Sequence, residues 1–330
     1  MITVERQVPS KIYVLDAIKR RANGNIETIE MIENLLRLAE IGYEGELKVD
    51  RLWSEISVPD NSILIHSYET KNDFGNSHQI DTLFVCPNFI VILEIKNLTG
   101  YIWYEKEKNQ FLRRKKNGEV ESFQSPIEQI IRHADFIERT VERLGLTVPI
   151  YKMVLIAEPS TVIGPVPADP PIIHAVGLPS KIKELNIQYE GKALHKGHYE
   201  LLTNHILERH NPTIYKPRFE VPPLRKGALC LCGRIMKFNY GKFICSCGTK
   251  SRDPLYQGLH DYRFLYSEWI TNSEFRNFFN IENQALVSKV LARLNLQYKG
   301  STKGRYKCQH QYVHFCSFKD VQNHSFSGAK

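Results

Sequence analysis

Two carboxylates and a lysine adjoin strongly apolar segments in the first third of the chain. Asp81 lies two residues before the apolar residues 83–86, and Glu94 and Lys96 follow the apolar residues 89–93. A charge in such a strand is costly to bury unless it is paired or binds an ion. Carboxylates bind Mg²⁺ well, and a nearby ammonium group can neutralise charge that develops on a phosphate. The three residues therefore indicate metal-assisted chemistry at a phosphate group.

The dipeptide Pro87-Asn88 joins the two segments and predicts a β-hairpin with a two-residue turn. In that register Asp81 lies opposite Glu94, and Lys96 points to the same face as Glu94. Two facing carboxylates about 5 Å apart repel each other unless a cation lies between them. We expect Mg²⁺, or Mn²⁺ in its place, with Asp81 and Glu94 as its ligands. The alternative without catalysis is a salt bridge among the three residues on an edge strand.

The surrounding sequence predicts helices and strands that would hold this hairpin in a mixed α/β domain. Apolar residues at helical spacing predict helices over 10–40 with a break at Asn23-Gly24, over 126–144 and over 199–208. Short β-branched or aromatic segments separated by Asn, Gly and Pro predict strands at 63–65, 79–86, 89–95, 101–103, 111–112, 151–157 and 172–176.

Five short motifs together resemble the nuclease-related domain (NERD) family, a bacterial branch of the PD-(D/E)xK phosphodiesterases. The motifs are Gly42-Tyr43-Glu44-Gly45-Glu46, Ile80-Asp81, Pro87-Asn88, Leu93-Glu94-Ile95-Lys96-Asn97 with Gly100, and Ser125-Pro126-Ile127-Glu128-Gln129. The resemblance covers roughly residues 36–145. It implies an α/β (α+β) restriction-endonuclease-like fold, in which helices flank a mixed sheet, and a metal-dependent nuclease activity.

The resemblance also implies roles for five residues. Glu46 corresponds to the acid on a helix, Asp81 and Glu94 to metal ligands, Lys96 to the catalytic lysine, and Gln129 to a polar helix residue that several branches add to the site. His133 lies one turn after Gln129 and could face the same site, although a helical surface position is the better interpretation.

Four of the seven cysteines lie close together as Cys230-x-Cys232 and Cys245-x-Cys247, each pair followed by Gly. Four thiolates around one Zn²⁺ would stabilise a segment too small to build a core of its own. The segment resembles a zinc ribbon, although each pair is one residue shorter than the usual C-x-x-C. The alternative is four reduced structural thiols.

Helical periodicity returns near the C-terminus over 262–270, 271–279 and 282–294, and a basic segment follows at 298–307. This region resembles a helix-turn-helix with a β-wing, in which an outer helix face and a basic wing contact DNA. The predicted nucleic-acid contacts are Lys289, Arg293, Lys299, Lys303, Arg305 and Lys307. A three-helix module for a protein partner is the alternative.

Charge is distributed unevenly along the 330 residues. Residues 1–215 contain 25 Lys/Arg and 29 Asp/Glu, a net −4, whereas residues 216–330 contain 19 and 7, a net +12. A basic region attracts polyanions and supplies the sequence-independent part of nucleic-acid binding. We expect neither a transmembrane segment nor a signal peptide, and therefore a cytoplasmic protein without a membrane partner.

These observations predict four regions: an N-terminal helical segment (1–35), the nuclease domain (36–215), a linker with the zinc-ribbon-like module (216–255) and a winged helix-turn-helix-like domain (256–330). The predicted function is a metal-dependent DNA nuclease that needs no small-molecule cofactor. Two alternatives stay open: a non-catalytic DNA-binding or regulatory protein that uses the nuclease fold as a scaffold, and a nuclease that acts on RNA. The sequence does not indicate an oligomeric state.

Overall fold

A computed structural model describes residues 1–300 and 304–308. These residues divide into two compact units, one formed by Met1–Pro9 and Leu38–Thr213, the other by Ser10–Arg37 and the described chain from Ile214 onward. The first 35 residues, which the sequence predicts as one segment, thus contribute to both units.

The described residues form eight α-helices, and none of them is long and apolar enough to span a membrane. In chain order they are α1 (Ser10–Arg21), α2 (Ile26–Asp50), α3 (Pro126–Arg143), α4 (Leu178–Gln188), α5 (Lys196–Arg209), α6 (Asp253–Leu265), α7 (Asn272–Phe279) and α8 (Gln284–Arg293). Three short 3₁₀ helices lie at Arg51–Glu55, Lys106–Lys108 and Ala175–Gly177.

The strands of the described chain form four sheets. In chain order they are β1 (Ile2–Val4), β2 (Ile63–Lys71), β3 (Ser77–Val85), β4 (Ile90–Lys96), β5 (Tyr101–Glu105), β6 (Gln110–Arg114), β7 (Val120–Phe123), β8 (Ile150–Ile156), β9 (Val162–Ile163), β10 (Ile172–His174), β11 (Ala228–Leu229), β12 (Ile235–Asn239), β13 (Lys242–Ile244), β14 (Lys250–Ser251), β15 (Trp269–Thr271), β16 (Tyr298–Lys299) and β17 (Arg305–Lys307).

The first unit is built around a six-stranded mixed sheet with the order β1-β2-β3-β4-β8-β10. The strands β2, β3 and β4 are antiparallel neighbours, whereas β4, β8 and β10 run parallel. Parallel neighbours need a crossover, and α3 is the helix that lies between β4 and β8 along the chain. The mixed sheet with flanking helices agrees with the predicted α/β class.

The β3–β4 hairpin has the predicted register. Its ladder runs from Thr82 opposite Leu93 to Val85 opposite Ile90, and the Cys86 N–H donates to the Phe89 carbonyl oxygen at 3.0 Å. Every described pair sums to 175, as a two-residue turn at Pro87-Asn88 requires.

The central sheet is covered on both faces, which explains why β4 is apolar along most of its length. Ile90 and Ile92 pack in the core on the α3 side, whereas Val91, Leu93 and Ile95 pack with α4 and the end of α2 on the other side. Because side chains alternate along a strand, Glu94 belongs to the α3 side. Glu94 is therefore an acid that follows Ile90 and Ile92 on the α3 side of this strand.

A second sheet of the first unit, with the order β7-β6-β5-β9, begins directly after β4. Ile102 and Phe111 on its inner face are buried in the core on the α3 side. Gly100 lies in the connection with φ +103° and approaches the Arg114 carbonyl so closely that a Cβ would lie 2.4 Å from the oxygen. Glycine is therefore required at this turn.

One core of the second unit includes both the cysteine segment and the C-terminal helices. Phe243 and Cys245 of the cysteine segment pack with Phe275, Phe279 and Leu291 of the helical region. The two regions that the sequence predicts as separate domains, 216–255 and 256–330, thus share their buried surface.

Secondary structure in this unit follows the order α6, β15, α7, α8, β16, β17, and its three strands pair in the order β15-β17-β16. The prediction of a helix over 262–270 is wrong at its C-terminal end. The helix ends at Leu265, and Trp269–Thr271 is a strand that pairs with Arg305–Lys307. A capping box begins α7, because the Thr271 hydroxyl accepts from the Glu274 N–H and the Glu274 carboxylate accepts from the Thr271 N–H.

A buried ion pair joins α1 to α6 in the second unit. Both Arg20 and Arg21 donate to the Asp261 carboxylate, at 2.6 and 2.7 Å, and Arg21 also donates to the carbonyl oxygens of Arg225 and Gly227. Arg21 and Asp261 are fully buried. Such a pair makes α1 part of this unit, because separating the partners would leave an uncompensated buried charge.

Candidate active site

The candidate site lies at the end of the β3–β4 hairpin. Asp81 comes one residue before the ladder begins, and its Oδ2 accepts a hydrogen bond of 2.7 Å from the Ile95 N–H. Glu94 is only 1% exposed, and its Oε1 accepts from Lys96 Nζ at 2.6 Å. The hairpin therefore places the two acids and the lysine at one end of the sheet, as its register predicts.

The helix α3 contributes Gln129 to the same place. Ser125 caps this helix by accepting from the Glu128 N–H, and Pro126 follows at its first position, where no N–H is needed. Gln129 Oε1 lies 3.5 Å from Lys96 Nζ, a long hydrogen bond. Lys96 thus lies between a carboxylate and an amide.

The helix α2 brings Glu46 to the site, and Gly45 explains how the helix comes so close. A Cβ at Gly45 would lie 2.4 Å from the Asn97 Cβ, and Asn97 Nδ2 donates to the Ile41 carbonyl oxygen at 2.8 Å. Only glycine permits this close packing of α2 on the chain that leaves β4. The Gly-Glu motif therefore consists of a packing residue followed by the acid that it positions.

Arg6 holds Glu46 from the other side, and the sequence analysis did not identify it. The Arg6 side chain is 2% exposed and donates to Glu46 at 2.6 Å, to Asp50 at 2.6 and 3.0 Å, and to the Asp81 carbonyl oxygen at 2.8 Å. Further hydrogen bonds reach Ser67 and Thr82. One guanidinium group therefore connects α2 to the strand that carries Asp81.

Asp50 and His66 complete this network and were also missed. His66 Nδ1 lies 3.0 Å from Asp50 Oδ1 and 3.2 Å from Thr82 Oγ1. Two signals in the sequence were available: Asp50 follows Glu46 by four residues on one helix face, and His66 interrupts the apolar strand Ile63-Leu64-Ile65. Arg6 has no comparable signal, because its partners lie 40 to 76 residues away.

The electrostatics of the site follow from acids buried near one another. Burial, together with the charge of Asp81, raises the pKa of Glu94 to about 8 and that of Glu46 to about 8. The pKa of Asp81 is also raised by burial, although Lys96 and the Ile95 N–H oppose the shift. Burial alone would lower the pKa of Lys96, but the charges of Glu94 and Asp81 outweigh it and raise that pKa. The site thus favours an additional cation.

Two observations bear on whether a divalent metal fits this site. Glu94 Oε2 is buried and has no hydrogen-bond partner among the described residues, as expected for an oxygen reserved for a ligand. The four cysteines lie close enough together to hold one ion, but the acids of this site form no comparable group in the described chain. Glu46 and Glu94 instead contact Arg6 and Lys96. The donors suit Mg²⁺, but binding would require these ion pairs to shift.

His133 is not on the helix surface, where the sequence analysis placed it. It is buried, and its Nδ1 lies 3.2 Å from His78 Nδ1. Burial, with the charges of His78 and Arg132, lowers the pKa of His133 to about 4. The contact of His133 on α3 with the half-buried His78 on β3 is a packing feature, and within the described residues no hydrogen bond joins His133 to a predicted site residue.

The four cysteines of the second unit converge as predicted. All four sulfur atoms lie within 4.8 Å of one another, with Cys230 Sγ 3.7 Å from Cys247 Sγ and Cys232 Sγ 3.5 Å from Cys245 Sγ. Four thiolates at the usual Zn–S distance form a tetrahedron with edges of about 3.8 Å. The cluster is therefore compatible with a structural zinc ion, despite the short spacing within each pair.

The predicted nucleic-acid contacts lie at the surface of the second unit. Lys289 and Arg293 are exposed on α8, and Arg305 is exposed on β17. Lys299 Nζ lies 3.8 Å from the centre of the Trp269 ring, and Lys307 Nζ lies 6.0 Å from the same point. Lys303, the sixth predicted residue, is outside the described residues. The three-stranded sheet therefore carries basic side chains next to an aromatic ring.

The raised pKa of Glu94 predicts a pH dependence of stability. Its ordinary pKa is 4.5 and its folded value is about 8, so between these values the folded chain holds a proton that the unfolded chain releases. The free energy of unfolding should therefore decrease as pH rises from 5 to 8 without added divalent metal. Urea titrations followed by tryptophan fluorescence should show a smaller decrease for Glu94→Gln than for wild type.

Glu44→Gln is the matched control, because Glu44 is an exposed acid near the same end of α2. Its pH dependence should equal that of the wild type. An equal dependence in Glu94→Gln and wild type would contradict the electrostatic account of the site.

The comparisons with known proteins concern the segment that contains these residues. Residues 41–157 match the model of the NERD family, the nuclease-related domain. An uncharacterised protein of Bacillus anthracis is 31% identical over 106 residues, which is 31% of this chain and 47% of that protein, so the chain spans about half of this relative. No solved structure matches significantly. The matched segment contains Glu46, Asp81, Glu94, Lys96 and Gln129 and suggests a nuclease-related function. Residues 41–157 of this chain are therefore similar to the nuclease-related domain of the NERD family.

Proposed function

We propose that the protein is a metal-dependent DNA nuclease of the PD-(D/E)xK type. The observation that carries the proposal is the hairpin end, where Asp81, Glu94 and Lys96 meet within the nuclease-related domain. Glu94 is buried, contacts Lys96 at 2.6 Å and keeps one oxygen without a hydrogen-bond partner in the described chain. A purely structural salt bridge gives no reason for this buried oxygen to lack a partner, whereas a role as a ligand does.

Asp81 and Glu94 are the proposed ligands of Mg²⁺ or Mn²⁺, and Glu46 is a third acid beside them. When bound, such an ion stabilises negative charge on the phosphate and lowers the pKa of water. Lys96 is proposed to orient the attacking water or to neutralise charge on the phosphate, with Gln129 holding its ammonium group at 3.5 Å. Glu94 would release part of its contact with Lys96 to take this role.

The second unit is proposed to bind DNA as a winged helix. The order of its elements supports this proposal, because a helix and a strand are followed by two helices and two strands. In the sheet, the last strand β17 pairs with both β15 and β16. In this proposal α8 enters the major groove, and the residues of β16 and β17 contact phosphates. The proposed contacts are Lys289, Arg293, Lys299, Lys303, Arg305 and Lys307.

A structural Zn²⁺ bound by Cys230, Cys232, Cys245 and Cys247 is the third element of the proposal. The turns that carry the sulfur atoms support it. The Gly233 N–H donates to the Cys230 carbonyl oxygen and the Gly248 N–H donates to the Cys245 carbonyl oxygen, both with a positive φ at glycine. The four-stranded sheet β11-β12-β13-β14 between and around the cysteine pairs suits a zinc ribbon.

One observation favours the scaffold alternative. Arg6 already neutralises Glu46, so the acids could serve only to join α2 to the sheet. The RNA alternative rests on the same site residues and differs only in substrate. An assay with linear duplex DNA, circular DNA, single-stranded DNA and RNA, each with and without Mg²⁺ or Mn²⁺, decides among the three. The proposed location in the cytoplasm stays a prediction.

Substitution of the hairpin residues should abolish metal-dependent cleavage. We expect Asp81→Asn, Glu94→Gln and Lys96→Ala to lower the cleavage rate at least about a hundredfold, because each removes a charge aimed at the phosphate or its metal. Lys96→Ala should still be stabilised by Mg²⁺ in thermal unfolding, whereas Asp81→Asn should not. Lys183→Ala, which changes an exposed lysine on α4 of the same unit, should cleave normally. Full activity in the three hairpin variants would refute the assignment.

Substitution of the basic residues on α8 should weaken DNA binding by the full chain. Each phosphate contact that is removed should lower the slope of log K against log salt by about 0.9 on duplex DNA. Anisotropy titrations of Lys289→Ala and Arg293→Ala at several salt concentrations measure this slope. Lys242→Ala, an exposed lysine on β13, should leave it unchanged. An unaltered slope in both α8 variants would favour the protein-partner alternative for this unit.

Zinc should purify with the protein at one ion per chain when no chelator is used. Cys247→Ser should lower the zinc content and the melting temperature, because Zn²⁺ would hold together a segment that packs into the core of the second unit. Cys86→Ser, which changes a buried cysteine of the first unit, should keep a full zinc content in elemental analysis. Protein that lacks zinc would instead support four reduced structural thiols.

A further inference from the structure

The outer face of the second sheet in the first unit carries an unusual set of side chains. Val162, Tyr101, Arg114 and Val120 form one row across the strands β9, β5, β6 and β7, because each is the direct partner of the next. Trp103 follows Tyr101 by two residues and therefore points to the same face. We call these five residues the aromatic face.

The aromatic face is directed to solvent, although its side chains are apolar or aromatic. Val120 is 51% exposed and Val162 is 57% exposed, Tyr101 and Trp103 are half-buried, and Arg114 is exposed. The opposite face of the sheet is buried in the core. An antiparallel sheet usually places polar residues on its open face, so apolar residues there mark an interaction surface.

The rings of Tyr101 and Trp103 lie next to each other, and the positively charged Arg114 side chain lies near both. The Tyr101 and Trp103 ring centres are 5.6 Å apart, and the Arg114 guanidinium carbon lies 5.8 and 5.7 Å from them. Within the described part of the chain Arg114 has no carboxylate partner. The Glu105 carboxylate accepts from the Trp103 side chain, and Lys108 neutralises that acid at 2.8 Å.

The aromatic face begins close to the proposed active site. Tyr101 follows Lys96 by five residues, so their Cα atoms lie at most about 18 Å apart. Hydrogen bonds hold this connection, from Ala157 N–H to the Lys96 carbonyl, from Val162 N–H to the Gly100 carbonyl and from Thr161 Oγ1 to the Leu98 carbonyl. A strand of nucleic acid that crosses the site can therefore extend onto this face.

We propose that the aromatic face binds a single-stranded segment of the nucleic-acid substrate, with bases stacked on Tyr101, Trp103 and the Arg114 plane and a phosphate near Arg114. Single strands are the matching partner because their unpaired bases are free to stack, whereas duplex bases are not. This inference deepens the proposed nuclease function by naming the structure of its substrate. It does not depend on the C-terminal basic residues.

The test is binding of the full chain, without divalent metal, to a fluorescein-labelled oligothymidylate of roughly 12 nucleotides, a length within the site sizes of single-strand-binding folds. Trp103→Ala should weaken this binding about tenfold or more, the effect of losing one stacked base. Arg114→Ala should weaken it as well. Trp103→Phe should retain most of the affinity, because it keeps a ring. A duplex of the same length should bind all variants within about twofold of wild type.

Arg139→Ala is the matched control, because Arg139 is an exposed arginine on α3 of the same unit. Equal single-strand affinity in wild type, Trp103→Ala and Arg114→Ala would overturn the proposal, and so would an equal loss on duplex DNA. Arg114 is exposed, so its variant tests the surface even if Trp103→Ala fails to fold. Because binding is measured without metal, single-strand binding by a chain that cleaves nothing would support this face while refuting the nuclease.

Discussion

The structure of the first unit depends on how three acids, one buried and two half-buried, are accommodated at one end of a sheet. Glu46, Asp81 and Glu94 each raise the free energy of the folded chain through burial, and they repel one another. Burying an isoleucine contributes only about 1.5–3 kcal/mol, whereas an unpaired buried charge costs several. Two protein cations compensate for the acids: Arg6 contacts Glu46, and Lys96 contacts Glu94.

This compensation determines which segments must come together. Arg6 follows the edge strand β1, which pairs parallel with β2, so the N-terminal residues are part of the site rather than an appendage. Gly45 permits the approach of α2, and Ser125 begins the helix that brings Gln129. A metal ion at the site would compete with the two cations already present. Binding would therefore be coupled to movement of Lys96 or Arg6, and pH would influence both.

The second unit concentrates charge in a different way. Its core is apolar and shared by the cysteine segment and the C-terminal helices, so its positive charge lies at the surface. The buried pair of Arg21 and Asp261 is an exception, and it ties α1 to this core. The proposed division of labour follows from this distribution. Acids are buried where a metal and a phosphate would react, and basic groups are exposed where a polyanion would bind.

Local physics allowed part of this molecule to be predicted from its sequence. The two-residue turn at Pro87-Asn88 and the apolar pattern of its flanking strands determine the hairpin register, and hence the positions of Asp81, Glu94 and Lys96. The start of the helix α3 at Pro126 and the convergence of the cysteine pairs also depend on neighbouring residues. In these cases the interacting groups lie within a turn or a hairpin of one another.

Tertiary structure alone decided the rest, because the partners are distant along the chain. The contacts of Arg6 with Glu46, Asp50 and Thr82 follow from the pairing of β1 with β2 and the packing of α2, which no local pattern specifies. Trp269–Thr271 has helical periodicity with the preceding residues, yet it is a strand because Arg305–Lys307 pairs with it. His133 is buried and lies against His78, which comes 55 residues earlier on β3. Sequence patterns determine which residues could react, whereas long-range packing determines which charged side chains lie next to them.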